Sequence, residues 1–289
     1  MFSDIIKKQK KLKNDTIHFF FATELMYNQL KLMISFFSMK IDQFISHRGA
    51  NTEYVENTIK SFQIAKDFGF KWFEIDVQMS SDGELFLFHD YSLKRLAGSD
   101  SVPTDMTIAE LKSVDVFHAA SGTVDKIPTL KEYLDWSLEQ GVHTNIELKI
   151  SKKANKEYVE SLVKALIQLL DSYENIEESI FISSFSRVAM KNLKKHQKYK
   201  KGKLFAMVSW PKDFDYLDTK LYKHYKENDY LAIIINYDCL SRKRVQYLKA
   251  KFGKVFVFSV YTDYEVKKLL DWGVDAMFID KKEQLNITL

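Results

Sequence analysis

The sequence predicts an α/β fold, a (β/α)8 barrel of the TIM type, on three observations. Apolar runs of strand length alternate with amphipathic helical stretches from Ile41 onward, the pattern of parallel strands joined by crossover helices. Residues 41–289 make 249 positions, close to the roughly 250 of an eight-unit barrel. Nine strand-like runs occur, and they reduce to eight once one is assigned to a hairpin.

The first run, 41–46, ends abruptly in His47-Arg48-Gly49. A helical stretch at 57–69 follows, with Ile59, Phe62 and Ala65 on one face and Gly69 as its stop. The runs 72–79 and 85–88 flank "SSDG", a turn too short for a crossover helix. They form a hairpin, and 85–88 is the surplus strand. The stretch of about 90–140 breaks the rhythm with turn residues and two short helix candidates. It reads as an insertion on the carboxyl side of the barrel, where long loops cover a site. The remaining strands are 143–150, 179–184, 203–208, 230–236, 254–260 and 276–279. Between them, 154–173 is the clearest amphipathic helix, and 264–273 repeats the helix-then-glycine pattern. The lysine-rich stretch 191–203 reads as a solvated helix face and loop. No glycine-rich fingerprint opens a helix, which places a doubly wound open sheet second.

Composition narrows the function. A net charge of +4 is too weak to indicate nucleic acid, yet it suits an anionic substrate or a membrane surface. The single cysteine, Cys239, excludes an intrachain disulfide and a cysteine-built zinc site, and allows a reducing, cytoplasmic compartment. Residues 1–38 stand apart from the barrel domain, 39–289. They hold a basic block, Lys7–Lys13, and a mixed apolar and polar stretch interrupted by Glu24, Asn28, Gln29 and Lys31. This is a helical extension rather than a membrane span or secretory signal. It either packs on the main domain, hangs loosely from it, or lies on a membrane surface as a basic amphipathic helix. Nothing in the composition fixes an oligomeric state.

Four polar clusters fall where barrel strands or the hairpin end: His47-Arg48, Glu74 with Asp76, His89-Asp90, and Glu147 with Lys149. Residues i and i+2 of a strand share a face, so Glu74 and Asp76 project together, as do Glu147 and Lys149. Their apolar neighbours face the helices, which turns the charged set into the barrel. Buried charge needs partners. Three converging carboxylates make an oxygen-donor site for a divalent metal, Mg²⁺ or Ca²⁺. Arg48 and Lys149 beside it can cradle a phosphoryl group. His47 and His89 come from separate segments and can serve as acid and base. Taken singly, a Glu-x-Asp pair or a His-Asp pair is an ordinary solvated edge or surface turn; their joint placement at strand ends carries the functional reading. Asn57 is a helix-cap candidate, and Glu56 is a candidate for binding metal, for orienting His47, or for neither.

His47-Arg48-Gly49, Glu56-Asn57-Thr58, Glu74-x-Asp76, Asp82-Gly83, His89-Asp90 and Glu147-x-Lys149 together resemble the glycerophosphodiester phosphodiesterase family. The likeness continues through "LKRLAGSD", "TIAELKSVD" and "IPTLKEYL", then "SSF" at 183–185 and "GVDAMFID" at 273–280, covering about 41–280. It implies a metal-dependent TIM barrel that cleaves glycerophosphodiesters to glycerol 3-phosphate and an alcohol. It also implies metal on Glu74, Asp76 and Glu147, acid/base work on His47 and His89, and phosphate on Arg48 and Lys149. Two positions depart from the family pattern. Phe258-Ser259 replaces a Trp-Thr pair, which makes Phe258 a substrate-pocket residue without an indole N–H. Ile279-Asp280-Lys281 stands where Thr-Asp-Pro is usual. Two rivals remain: a lysophospholipase D, which would share the same metal and phosphate site, and a catalytically silent phosphoester-binding barrel.

Overall fold

The computed structural model describes residues 42–206, 225 and 227–288. The extension expected over 1–38 lies outside them, as does most of 207–231, which links the fifth and sixth barrel strands. Eleven strands are present among the described residues: β1 Phe44–His47, β2 Trp72–Met79, β3 Leu85–Leu87, β4 Asp115–Phe117, β5 Val124–Lys126, β6 His143–Leu148, β7 Ile180–Ser184, β8 Lys200–Phe205, β9 Ala232–Asn236, β10 Val255–Val260 and β11 Ala276–Ile279. Eight of them, β1, β2 and β6 to β11, pair in parallel around a ring. The ring closes because β1 pairs with both β2 and β11. The run at 85–88 is the surplus strand: β3 pairs antiparallel with β2, Val77 opposite Leu87 and Met79 opposite Leu85.

Local chemistry explains the helices that drive the ring round. Thr58 caps helix Ile59–Asp67 by accepting from Ser61 N–H at 3.3 Å. Thr129 with Glu132, and Thr262 with Glu265, form capping boxes on Leu130–Glu139 and Asp263–Trp272. Helix Lys156–Leu170 buries Val159, Leu162, Val163, Leu166, Ile167 and Leu170 along one stripe. The stretch 90–140 divides in two. Helix Leu130–Glu139 is the crossover that returns the chain from β2 to β6, since a parallel pair needs one. The residues before it carry the short helices Lys94–Ala97 and Ile108–Ser113 and the β4–β5 hairpin. Those residues bury a small core of their own, with Leu93, Leu96, Leu111, Val116 and Ile127 against Phe86 and Phe88.

Two expectations change. The strand read at 203–208 runs from Lys200 to Phe205, so the lysine-rich stretch is not solvated to its end. Lys201 and Lys203 are 4% and 3% exposed. Each escapes the cost of burial by donating to backbone carbonyls: Lys201 Nζ to Tyr199 and His196, and Lys203 Nζ to Phe185, Ser184 and Leu204 at 2.7–3.2 Å. Burial, with Arg187 nearby, lowers the Lys203 ammonium to about 8. Composition alone cannot separate such lysines from a solvated face, because the partners are main-chain atoms. Asn57 is not a helix cap. That position belongs to Thr58, and Asn57 takes a left-handed backbone with φ 56°.

The barrel interior is aromatic below the level of the charges. Trp72, Phe181 and Phe256 form a chain of rings with centroids 5.8 and 6.0 Å apart, and His143 stacks on Trp72 at 4.7 Å. Gly202 gives these rings room. A Cβ there would lie 2.6 Å from Ile234 Cδ1 and 3.6 Å from Phe181. A Gly202→Val variant is therefore expected to lose roughly 1–3 kcal/mol by overpacking, read as a lowered denaturant midpoint at unchanged slope.

Candidate active site

The site stands where the interior turns from apolar to charged, at the carboxyl ends of β1, β2 and β6. Glu74 and Asp76 from β2 and Glu147 from β6 are buried and bring one oxygen each within 4.8 Å of one another. Register explains the meeting, because Asp76 lies directly opposite Glu147 in the parallel pair. Lys149 Nζ sits 2.6 Å from Glu147 and 3.1 Å from Asp76. Arg48 Nε lies 2.9 Å from Asp76 Oδ2. Asn57 supplies a further donor, with Nδ2 donating to Asp76 Oδ2 at 2.8 Å while its Oδ1 accepts from Asp76 N–H.

The electrostatics of this cluster are unbalanced. Three carboxylates face two cations. Although burial opposes ionisation of Asp76, Lys149 and Arg48 outweigh it and hold that carboxyl far below its usual range. Burial raises Glu74 well above the ordinary value, and repulsion from Asp76 and Glu147 adds to this. Neither Glu74 oxygen accepts a hydrogen bond, though both are buried. An orphaned buried carboxylate beside two others is costly, and a divalent cation among these three oxygen donors removes that cost. The residues fit a divalent metal site.

Arg48 and Gly49 owe their position to two consecutive left-handed residues, φ 60° and 83°. Gly49 is obligatory there, since a Cβ would meet Ser61 Oγ at 2.5 Å and the Ser61 carbonyl carbon at 2.9 Å. The turn is fixed by Arg48 N–H donating to Glu74 O and Asn57 N–H donating to Arg48 O.

The two histidines flank the cluster, and each is held through Nδ1 by a carboxylate. His47 Nδ1 is 2.8 Å from Asp280 Oδ1, and His89 Nδ1 is 2.6 Å from Asp90 Oδ1. Such a partner fixes the tautomer, so Nε2 is the free ring nitrogen. His47 Nε2 lies 4.0 Å from Glu74. Burial acts against ionised Asp280 and Asp90, but their bonds to the histidines prevail and both carboxyls lie below their ordinary range. Gln78 Nε2 steadies the His89 segment by donating to Phe88 O and Asp90 O.

The expected metal, phosphate and acid/base residues come together in one place. His47, Arg48, Glu74, His89, Glu147, Lys149 and Phe258 line a cavity of about 170 Å³, and Asp76 lies beneath it in contact with Arg48 and Lys149. Phe185 completes the wall, edge-on to Phe258 at 5.5 Å and 85°. Glu56 touches neither histidine nor the carboxylates; it pairs with Arg48 at 3.1 Å and with Arg95. Sequence reasoning gave no role to Asp280, Arg95 or Phe185. Asp280 directly follows a barrel strand, the one signal that could have flagged it. Arg95 lies in the insertion, where no periodicity places it.

The glycerophosphoryl diester phosphodiesterase family model matches residues 47–284. The chain belongs to that family. A glycerophosphodiester phosphodiesterase of Caldanaerobacter subterraneus subsp. tengcongensis is 26% identical over 243 residues, covering 83% of this chain and 95% of that one. A lysophospholipase D of Rattus norvegicus is 33% identical over 132 residues, 43% of this chain and 41% of the rat protein. The structure of an Oleispira antarctica phosphodiesterase in complex with its product sn-glycerol-3-phosphate superposes with a TM-score of 0.73 at 26% identity, covering 85% and 96% of the two chains. The barrel and its insertion are thus a glycerophosphoryl diester phosphodiesterase fold.

The depressed Asp280 carboxyl has a measurable consequence. A group whose folded pKa lies below its unfolded value stabilises the fold above the ordinary carboxylate range and loses that contribution as pH falls through the folded value. Asp280→Asn is therefore expected to lose less stability than the parent protein between pH 6 and pH 3, roughly spanning the model-peptide value of about 3.9, as measured by chemical denaturation at each pH.

Proposed function

We propose that this chain hydrolyses glycerophosphodiesters to sn-glycerol 3-phosphate and an alcohol, with a divalent metal held by Glu74, Asp76 and Glu147. The observation that carries this reading is the pairing of two carboxylate-anchored imidazoles around one carboxylate cluster in a single small cavity. A silent phosphate binder has no use for two histidines with Nε2 free. A cation at the three carboxylates supplies Lewis-acid polarisation of a phosphoryl oxygen and reverses the excess negative charge that would otherwise repel a diester anion. Mg²⁺ and Ca²⁺ both suit the all-oxygen donor set.

The residues divide the remaining work. Arg48 donates Nη1 to Glu56 and keeps its Nε in ion-pair contact with Asp76, and Nη2 is the group proposed to meet a phosphate oxygen. Lys149 carries its charge to the cavity from the far side of Asp76, and although burial works against it, Asp76 and Glu147 hold its ammonium well above the ordinary lysine value. One histidine takes the proton of the attacking oxygen on Nε2. The other, starting as the imidazolium, gives its Nε2 proton to the alkoxide as the P–O bond to the alcohol breaks. The attacking oxygen is that of water, or of the neighbouring glycerol hydroxyl, which leaves a cyclic phosphate that a water then opens to glycerol 3-phosphate. Phe258 and Phe185 bound the space left for glycerol.

A second reading, lysophospholipase D, draws on a larger groove of about 630 Å³ that shares Lys149 with the cavity and is lined also by Tyr91, Val102, Ala154 and Tyr158. Its apolar stretch suits the acyl chain that a lysolipid carries on its glycerol, while the alcohol released is still choline or ethanolamine. Among the described residues no helix is long and apolar enough to cross a membrane. Residues 1–38 are proposed to bring the barrel to a membrane surface from the cytoplasmic side.

Glycerophosphocholine, glycerophosphoethanolamine and a lysophosphatidylcholine, assayed side by side with Mg²⁺ and with Ca²⁺, separate the two readings. Turnover of the first two is expected to vanish with EDTA and return with metal. His47→Ala and His89→Ala are each expected to lower kcat by about 10²–10⁴-fold with an unchanged circular dichroism spectrum. Parental turnover in either variant sinks the role given to that histidine.

A further inference from the structure

The insertion carries one side chain that bonds to both halves of this machinery. Arg95 Nη1 and Nη2 fork onto Glu56 at 2.6 and 2.8 Å, and its Nε donates to Asp90 Oδ2 at 2.7 Å. Those two carboxylates are the same ones that hold Arg48 and His89. An unbroken sequence of alternating charges results: Asp76, Arg48, Glu56, Arg95, Asp90, His89. It begins in the buried carboxylate cluster and ends on an imidazole.

Packing explains why Arg95 is aimed there. It lies on the four-residue helix Lys94–Ala97, whose neighbours Leu93 and Leu96 are buried in the insertion's own core. The adjacent Lys94 turns the other way, to an exposed pair with Asp100. Exposed ion pairs contribute little to stability, and Arg95 is 45% exposed. Its geometry is nevertheless the planar, bidentate kind that fixes orientation, which a lysine cannot reproduce. Burial alone would raise Glu56, but Arg95, with Arg48, holds it below the ordinary range.

We infer that Arg95 is a positioning residue that sets the distance between the His89 segment and the Arg48 turn, so that the insertion is part of the catalytic apparatus rather than a cover on it. The inference rests on the phosphodiesterase reading. Arg95 touches no reacting atom. It acts through Asp90 on the tilt of His89, and through Glu56 on the guanidinium that meets the phosphate. Misplacement of such groups by a fraction of an ångström is enough to slow the reaction.

The test is kinetic, on the full-length, metal-loaded chain with glycerophosphocholine or whichever diester the parent turns over. Arg95→Met is expected to lower kcat/KM roughly 10–100-fold, the usual effect of losing an orienting partner, with the melting temperature little changed. Arg95→Lys recovers only part, and added guanidinium partly restores Arg95→Ala. In a Glu56→Gln/Asp90→Asn background, adding Arg95→Met lowers kcat/KM by less than about threefold, because the carboxylates through which it acts are gone. Parental kcat/KM in Arg95→Met, or an undiminished loss in that background, overturns the inference. A parent chain inactive on every diester with either metal overturns the phosphodiesterase reading instead, so the two failures are distinct.

Discussion

The physical constraint on which this protein turns is the burial of Glu74, Asp76 and Glu147 within one barrel interior. Three carboxylates so close together do not ionise side by side without compensation. The fold answers with Lys149 just past the end of the strand that carries Glu147, Arg48 on the turn after β1, and Asn57 donating from the residue before the cap of helix Ile59–Asp67. These responses still leave Glu74 without a donor. The shortfall is located and directional, and it defines where a cation belongs. It also explains why so many surrounding features are unusual: a non-glycine residue and a glycine in succession with left-handed backbone, an asparagine spent on a carboxylate instead of a helix cap, and an arginine tied to two acids.

Around that cluster the molecule uses one device twice. Each histidine is fixed through Nδ1 by an aspartate that comes from a different place: the neighbouring residue for His89, the last barrel strand for His47. The local pairing leaves His89 dependent on where its loop sits, and that loop is held by Gln78 from inside the hairpin and by the insertion from outside. The aromatic layer of Trp72, Phe181 and Phe256 lies beneath, so the charged level has a floor without polar escape. Low-dielectric surroundings strengthen every one of these contacts.

Much of this was legible in the sequence because barrel architecture and strand periodicity translate directly into position. The interval between Glu74 and Asp76, or between Glu147 and Lys149, gives a shared face, and strand ends give the mouth. The parallel register that sets Asp76 against Glu147 follows from neither; the family likeness implied only that the three carboxylates meet. What stayed hidden had non-local or main-chain causes. Lys201 and Lys203 look like solvent-facing charge until carbonyl partners are seen. Asp280 meets His47 only because the sheet closes on itself. Arg95 projects from a four-residue helix whose direction depends on how the insertion packs. Asn57 sits where a cap is expected, and the cap moved one residue on because Thr58 has the extended backbone that capping requires.

Ring closure has a further meaning for how the chain becomes competent. His47 and Asp280 are 233 positions apart, at opposite ends of the strand order, and they meet across the seam where β1 joins β11. During synthesis on the ribosome, His47 emerges early and waits without its aspartate until the final strand docks. Until then the ring lacks the carboxylate that fixes its tautomer. The seam thus ties the orientation of the His47 ring to closure of the sheet.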